Sequence, residues 1–159
     1  MASMGLGSYV SKYINHHILK KFIAIEIALG VLGGISIPFL YFIYAYSEFF
    51  IFFYLAFTIA IGFLIGLEIP FLTRLMDQYH QLKVNIANIL SFDYLGALIA
   101  TISFPFILLP FFGVYQSSLI FGLVNMSIGF VMLLSFKSRV GSSYKVLKIA
   151  VIISTIFLA

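Results

Sequence analysis

The side chains able to do acid–base or cation chemistry in this chain are few, and three of its five carboxylates are gathered in one stretch. Between Gly62 and Thr101 the sequence places Glu68, Arg74, Asp77 and Asp93 amid strongly apolar residues, and Glu26 lies further upstream. A carboxylate cluster of Glu68, Asp77 and Asp93 would attract a polycation, with Arg74 holding one acid in place. The plainer arrangement, which the sequence favours, pairs Glu68 with Arg74 across Pro70 as a structural ion pair. It makes Ser91 or Asp93 a helix N-cap, because a short oxygen-bearing side chain there accepts orphan backbone N–H groups and suits the positive end of the helix dipole. Glu26 shares a helical face with Gly30 and Gly34, at i+4 and i+8. It would lie inside a bundle, pairing with a cation or holding an amine, or nearer the lipid headgroups, bonded to a neighbouring helix or to lysine; the second is the expectation.

Little else has catalytic character. Cysteine is absent, which excludes disulfides and thiolate metal sites. His16 and His17 are adjacent, so on a helix they point about 100° apart and make a poor chelate; His80 stands by itself in a polar stretch. No Gly-rich phosphate loop, nucleophile elbow or zinc-ligand spacing occurs. No catalytic, cofactor-binding or metal-ligating residue is therefore assigned, and no cofactor is expected in this chain.

Composition dictates the elements that must hold these residues. The chain is 63% apolar and 9% charged with a mean hydropathy of +1.16, against roughly 25% charged residues in an ordinary soluble domain. So little polar surface cannot cover such a core in water, and the bilayer must be the solvent. The net charge of +4 does not point to nucleic acid, because the cations sit between hydrophobic runs. Residues 1–17 are rich in Gly, Ser, His and Lys and do not resemble a cleavable signal peptide.

The expected fold is an all-α polytopic transmembrane bundle forming a single domain over 1–159, with four complete spans, a truncated fifth and no soluble domain. The spans are read at about 22–46, 49–67, 93–112 and 114–136, with a partial run over 149–159. A helix rising 1.5 Å per residue needs about 20 residues to cross a hydrocarbon core of about 30 Å, and the last run reaches about half of that. Tyr41, Tyr44 and Tyr46 close the first span with the amphipathic aromatics expected at a membrane interface. Residues 71–91 are read as a polar connection, Pro105 and Pro110 as the site of a kink or early helix end, and Gly113 as a short turn.

Alternating sides puts all nine Lys and Arg residues on one face, before the first span, after the second and after the fourth. By the positive-inside rule that face is cytoplasmic, with the N-terminus on it. Gly30 with Gly34, Gly62 with Gly66, and Gly96 with Ala100 give small-xxx-small pairs, which let helix backbones approach closely in lipid. Packing within one bundle is the expectation, and a homo-oligomer stays open.

Several blocks carry a family resemblance. Gly5-Leu6-Gly7-Ser8, Glu26 with Gly33-Gly34-Ile35-Ser36, and Ile65-Gly66-Leu67-Glu68-Ile69-Pro70 followed by Leu72-Thr73-Arg74 come first. Asp93-Tyr94-Leu95-Gly96-Ala97-Leu98, Phe104-Pro105, Leu108-Leu109-Pro110 with Gly113, and Phe121-Gly122-Leu123-Val124-Asn125 follow in order. In these the chain resembles the transmembrane part of membrane-bound spermidine synthases, polyamine aminopropyltransferases with a multi-span bundle ahead of a soluble catalytic domain. The resemblance implies that two further spans precede this region and more hydrophobic sequence follows it. It also implies a Rossmann-like domain that binds decarboxylated S-adenosylmethionine through a Gly-rich turn and an acidic residue, with aspartates orienting the amine. None of those catalytic residues has a counterpart here, so an internal fragment of a longer protein is expected.

The function implied is the membrane portion of a protein that transfers an aminopropyl group from decarboxylated S-adenosylmethionine to putrescine, anchored in a bacterial cytoplasmic (inner) membrane. Its partners would be the lipid bilayer and the parent's soluble catalytic domain, with no nucleic acid. A polyamine or cation transport module in which Glu26, Glu68 and Asp93 contact the substrate is the alternative, as is a purely structural membrane subunit.

Overall fold

The computed structural model describes residues 1–14, 16–77, 82–136 and 144–158. His80 and the basic residues Lys137 and Arg139 lie outside the described residues. The described residues are all-helical: α1 (Ala2–Ser11), α2 (Ile18–Tyr46), α3 (Phe50–Met76), α4 (Leu82–Ser103), a π-helical turn (Phe104–Leu108), α5 (Leu109–Ser135) and α6 (Tyr144–Leu158). No strand occurs among them. Three helical stretches, Ile18–Tyr46, Phe50–Met76 and Ile86–Ser135, are long and apolar enough to cross a membrane.

The third of these joins what the hydropathy pattern separates into two segments, and the chain turns back within it. Gly113 lies outside the helical region at φ 69°, ψ 179°, a backbone conformation that costs glycine least. The rings of Phe104 and Phe121 stand 6.4 Å apart, although a straight helix would separate them by about 25 Å. The chain therefore reverses around Gly113, and its two arms run side by side near the bend. Pro105 lies in the π-helical turn, where its missing N–H and its ring unsettle the regular i→i−4 ladder.

α2 is the central helix, packed against α3 on one side and α5 on another, with α6 against both α5 and α2. One apolar cluster joins Ile23 and Ile27 of α2 to Met126 and Leu133 of α5 and Val151 and Leu158 of α6. A second joins Phe22, Ile25 and Leu29 of α2 to Leu67 and Phe71 of α3, and Met132 packs on both clusters. At the far end of the α2–α3 pair, Phe39 meets Phe53 and Phe57 at centroid distances of 5.5 and 5.6 Å. Beyond that contact Tyr41, Tyr44 and Tyr46 are exposed.

The small residues explain why the backbones come so close. A Cβ at Gly122 of α5 would stand 2.6 Å from the Gly30 carbonyl oxygen and 2.9 Å from the Gly34 Cα, and Ser118 Oγ donates to the Gly34 carbonyl at 3.3 Å. The Gly30/Gly34 pair is thus used inside the bundle. The Gly62/Gly66 pair receives α1, a helix in a segment whose polarity excluded it from the span reading. A Cβ at Gly66 would overlap the Met4 carbonyl, and one at Gly7 the Phe63 carbonyl. The Gly96/Ala100 pair, by contrast, serves no contact among the described residues: nothing lies within 4 Å of a Cβ at Gly96, and every residue from Ser91 to Thr101 is exposed. α4 touches only α3 and the π-helical turn to any extent.

Candidate functional site

Glu26 sits on the central helix, one turn before Gly30, and is 2% exposed. Its neighbour across the α2–α5 contact is Gly129, whose Cβ position would lie 3.4 Å from the Glu26 Cβ. A larger residue at 129 would crowd the acid's stem. Glu68, on α3, is half-buried and close enough to Glu26 for their charges to act on each other. Asp93, on α4, is close enough for its charge to act on Glu68. Oε2 of Glu26 is buried without a hydrogen-bond partner.

The helix ends explain why these acids meet. Glu26 lies about 12 Å along α2 from Ile18, Glu68 about 12 Å along α3 from Met76, and Asp93 about 16 Å along α4 from Leu82. Those three ends are joined by, or adjoin, the short connections of one side of the molecule, so all three acids reach a similar depth below it. Once the antiparallel α2–α3 pair forms, the two glutamates fall at one level.

Several expectations are corrected here. Glu26 is inside the bundle and not near its edge, because Gly30, Gly34, Gly122 and Gly129 draw α5 onto its face of α2. Glu68 lies near Glu26, while Arg74 turns toward α1: Nη1 donates to the Ser11 and Ile14 carbonyls at 2.9 and 3.0 Å, and Nη2 to Ser11 Oγ at 3.4 Å. Arg74 follows Glu68 by six residues, which places the two about 240° apart around the helix. Asp93 is no N-cap, since α4 begins at Leu82, and Ser91 Oγ donates to the Ala87 carbonyl at 2.8 Å within the same helix. Asp77 caps the C-terminus of α3, exposed, so the acidic group comprises Glu26, Glu68 and Asp93. His16 and His17 are exposed in the connection from α1 to α2.

The sequence did not reveal the docking of α1. The signal lay in Arg74, an arginine in the last turn of an apolar helix. Its guanidinium reaches the Ser11 carbonyl at the end of α1, which also accepts the Ile14 N–H, and the Ile14 carbonyl just beyond it.

Two carboxyl groups brought near each other in an apolar bundle repel when both are charged. Among the described residues no group of three or more His, Cys, Asp or Glu is placed to hold a metal ion. The arrangement is suited to cation or proton chemistry and contains no nucleophile with an adjacent base.

Curated relatives agree on one family. A polyamine aminopropyltransferase of Leptospira interrogans is 40% identical over 126 residues, which cover 79% of this chain and 25% of the relative. The chain belongs to the polyamine aminopropyltransferase family. A second member, polyamine aminopropyltransferase 2 of Ralstonia nicotianae, is 34% identical over 144 residues, 89% of this chain and 28% of its own length. The family's representative in Mycobacterium tuberculosis H37Rv is 30% identical over 135 residues, 80% of this chain and 26% of its own length. The chain spans about a quarter of the length of these family members. No protein-family model matches it, and no solved structure does.

Proposed function

We propose that this chain is the membrane-embedded portion of an aminopropyltransferase, anchoring to a bacterial inner membrane an activity that moves an aminopropyl group from decarboxylated S-adenosylmethionine to putrescine. The observation that carries the reading is the match to about a quarter of each relative's length by a chain whose long helices are apolar enough to cross a bilayer. The bend at Gly113 supports reading Ile86–Ser135 as two crossings, because about 75 Å of helix exceeds the roughly 30 Å core more than twofold. With those arms counted separately the bundle has four crossings, and the positive-inside pattern puts the N-terminus in the cytoplasm. The soluble catalytic part of the parent would be its partner.

A chimera tests the anchoring role. Deleting from the Leptospira relative the whole hydrophobic region that contains the matching segment should release its transfer activity into the soluble fraction, and fusing residues 1–159 of this chain to the soluble remainder should return the activity to carbonate-washed membranes. Activity that still sediments after the deletion would refute the reading. The isolated chain should show no turnover in a radiolabelled aminopropyl assay.

A further inference from the structure

We propose that the groove between α2 and α3 holds an acyl chain of an anionic phospholipid, with the lipid's phosphate at Lys21. The site presupposes that the helices lie in a bilayer. Lys21, Ala24, Ile25 and Ala28 of α2 line the groove, and their i, i+3, i+4, i+7 spacing puts them on one face of the helix. Leu64, Leu67 and Phe71 of α3 form the facing wall, and the space between the helices is about 280 Å³. Ile25, Leu67 and Phe71 are buried and make its floor. The depression exists because the side chains of Ala24 and Ala28 are too short to cover that floor, and Ala24 is exposed, so the groove opens sideways from the bundle.

Charge and polarity change along the groove in the order of a phospholipid. Lys21 is the charged residue in a lining that is otherwise apolar among the described residues. It is exposed and immediately precedes the apolar run that opens at Phe22. From Lys21 to Ala28 is about 10 Å along α2, two-thirds of the roughly 15 Å that half a hydrocarbon core measures. Phe71 to Leu64 covers the same length on the antiparallel α3. A chain lying in the groove therefore stays within one leaflet, with its head at the level of the lysine. A soluble anion would meet the same ammonium but leave the apolar floor uncovered.

The surrounding charge selects the head. Residues 1–21 carry Lys12, Lys20 and Lys21 and no acid, and α2 begins at Ile18, so the positive end of its dipole lies beside Lys21. The adjoining end of α3 adds Arg74 and Asp77, of opposite sign. A basic mouth on a groove between spanning helices suits an anionic lipid head, whereas a zwitterionic head would bring its own ammonium toward Lys21.

The test uses the full chain in phosphatidylcholine vesicles doped with a trace of phosphatidylglycerol or phosphatidylcholine carrying a diazirine on one acyl chain. Illumination crosslinks the probe, and mass spectrometry locates the modified residues. The phosphatidylglycerol probe should label residues 21–28 and 64–71 about fivefold more than the phosphatidylcholine probe, the factor one lysine near a membrane surface contributes. Both probes should label the exposed Val124, Ile128 and Val131 of α5 equally. Lys21→Gln should abolish the preference, and Ala24→Leu should reduce labelling of the groove by both probes while α5 is unaffected. Equal labelling of the groove by the two probes in the unmodified chain would overturn the site without requiring any variant to fold. A groove that neither probe reaches, beside a labelled α5, would show it to be covered by protein and overturn the lipid equally. A chain that fails to float with the vesicles would refute the membrane placement, and the site with it.

Discussion

Alanine at Gly122 probes the close contact between α2 and α5. Its Cβ would stand 2.6 Å from the Gly30 carbonyl oxygen, 2.9 Å from the Gly34 Cα and 3.1 Å from the Gly34 nitrogen. All three are backbone atoms of α2, so no side chain can swing aside, and α2 and α5 must part by roughly 0.5–1 Å to restore ordinary contact distances. Overpacking of this kind costs about 1–3 kcal/mol, and a gap of that size forfeits about a quarter to a half of the dispersion well of each facing pair. Alanine's better helix propensity returns about 0.8–1 kcal/mol. The net expectation is a loss of about 1–2 kcal/mol. Gly96→Ala supplies the control, because nothing lies within 4 Å of its Cβ and only the propensity gain, at most about 1 kcal/mol, remains. Reversible unfolding in mixed micelles with increasing dodecyl sulfate, followed by far-ultraviolet circular dichroism, measures both. If Gly122→Ala proves as stable as Gly96→Ala, the glycine contact does not hold α5 to α2 and the packing argument fails.

The remaining expectations concern α1 and topology. Arg74→Met removes the bonds to the Ser11 and Ile14 carbonyls and should loosen α1 by about 2 kcal/mol, speeding amide exchange in Ala2–Ser11 roughly thirtyfold; unchanged exchange would show that the guanidinium does not secure the helix. Gly66→Leu should displace α1 outright, since even a Cβ there meets the Met4 backbone, and exchange over residues 2–11 should approach that of a free helix while α2 keeps its protection. Because the chain has no cysteine, Ser47→Cys and Asp77→Cys report topology. An impermeant maleimide added to intact cells should modify Cys at 47 directly and Cys at 77 only after permeabilisation; the reverse order would invert the orientation.

Much of the fold was legible because hydropathy and helix length answer to the same constraint. A backbone in hydrocarbon must satisfy its own hydrogen bonds, so long apolar runs such as Ile18–Tyr46 and Phe50–Met76 become helices whatever their neighbours. The Gly30/Gly34 pair was readable for a similar reason, as close approach requires a missing side chain. The candidate site was less legible. The sequence named Glu26, Glu68 and Asp93 but assigned Glu68 to Arg74, since neighbours in sequence are the only partners a linear reading can weigh. α1 escaped notice because a ten-residue segment cannot span a bilayer and its docking depends on Gly62 and Gly66 far along the chain.

By itself, then, the sequence determined the long apolar helices, the positions of the rare charges and the family. Each follows from side-chain chemistry summed along a segment. The tertiary structure decided which charges come near one another: Glu26 and Glu68 lie close enough for their charges to interact, Arg74 bonds the end of α1, and the charge of Asp93, on the sparsely packed α4, acts on Glu68. Those pairings depend on helix rotation and relative depth, which shift with each glycine contact between helices, and no segment carries that information alone.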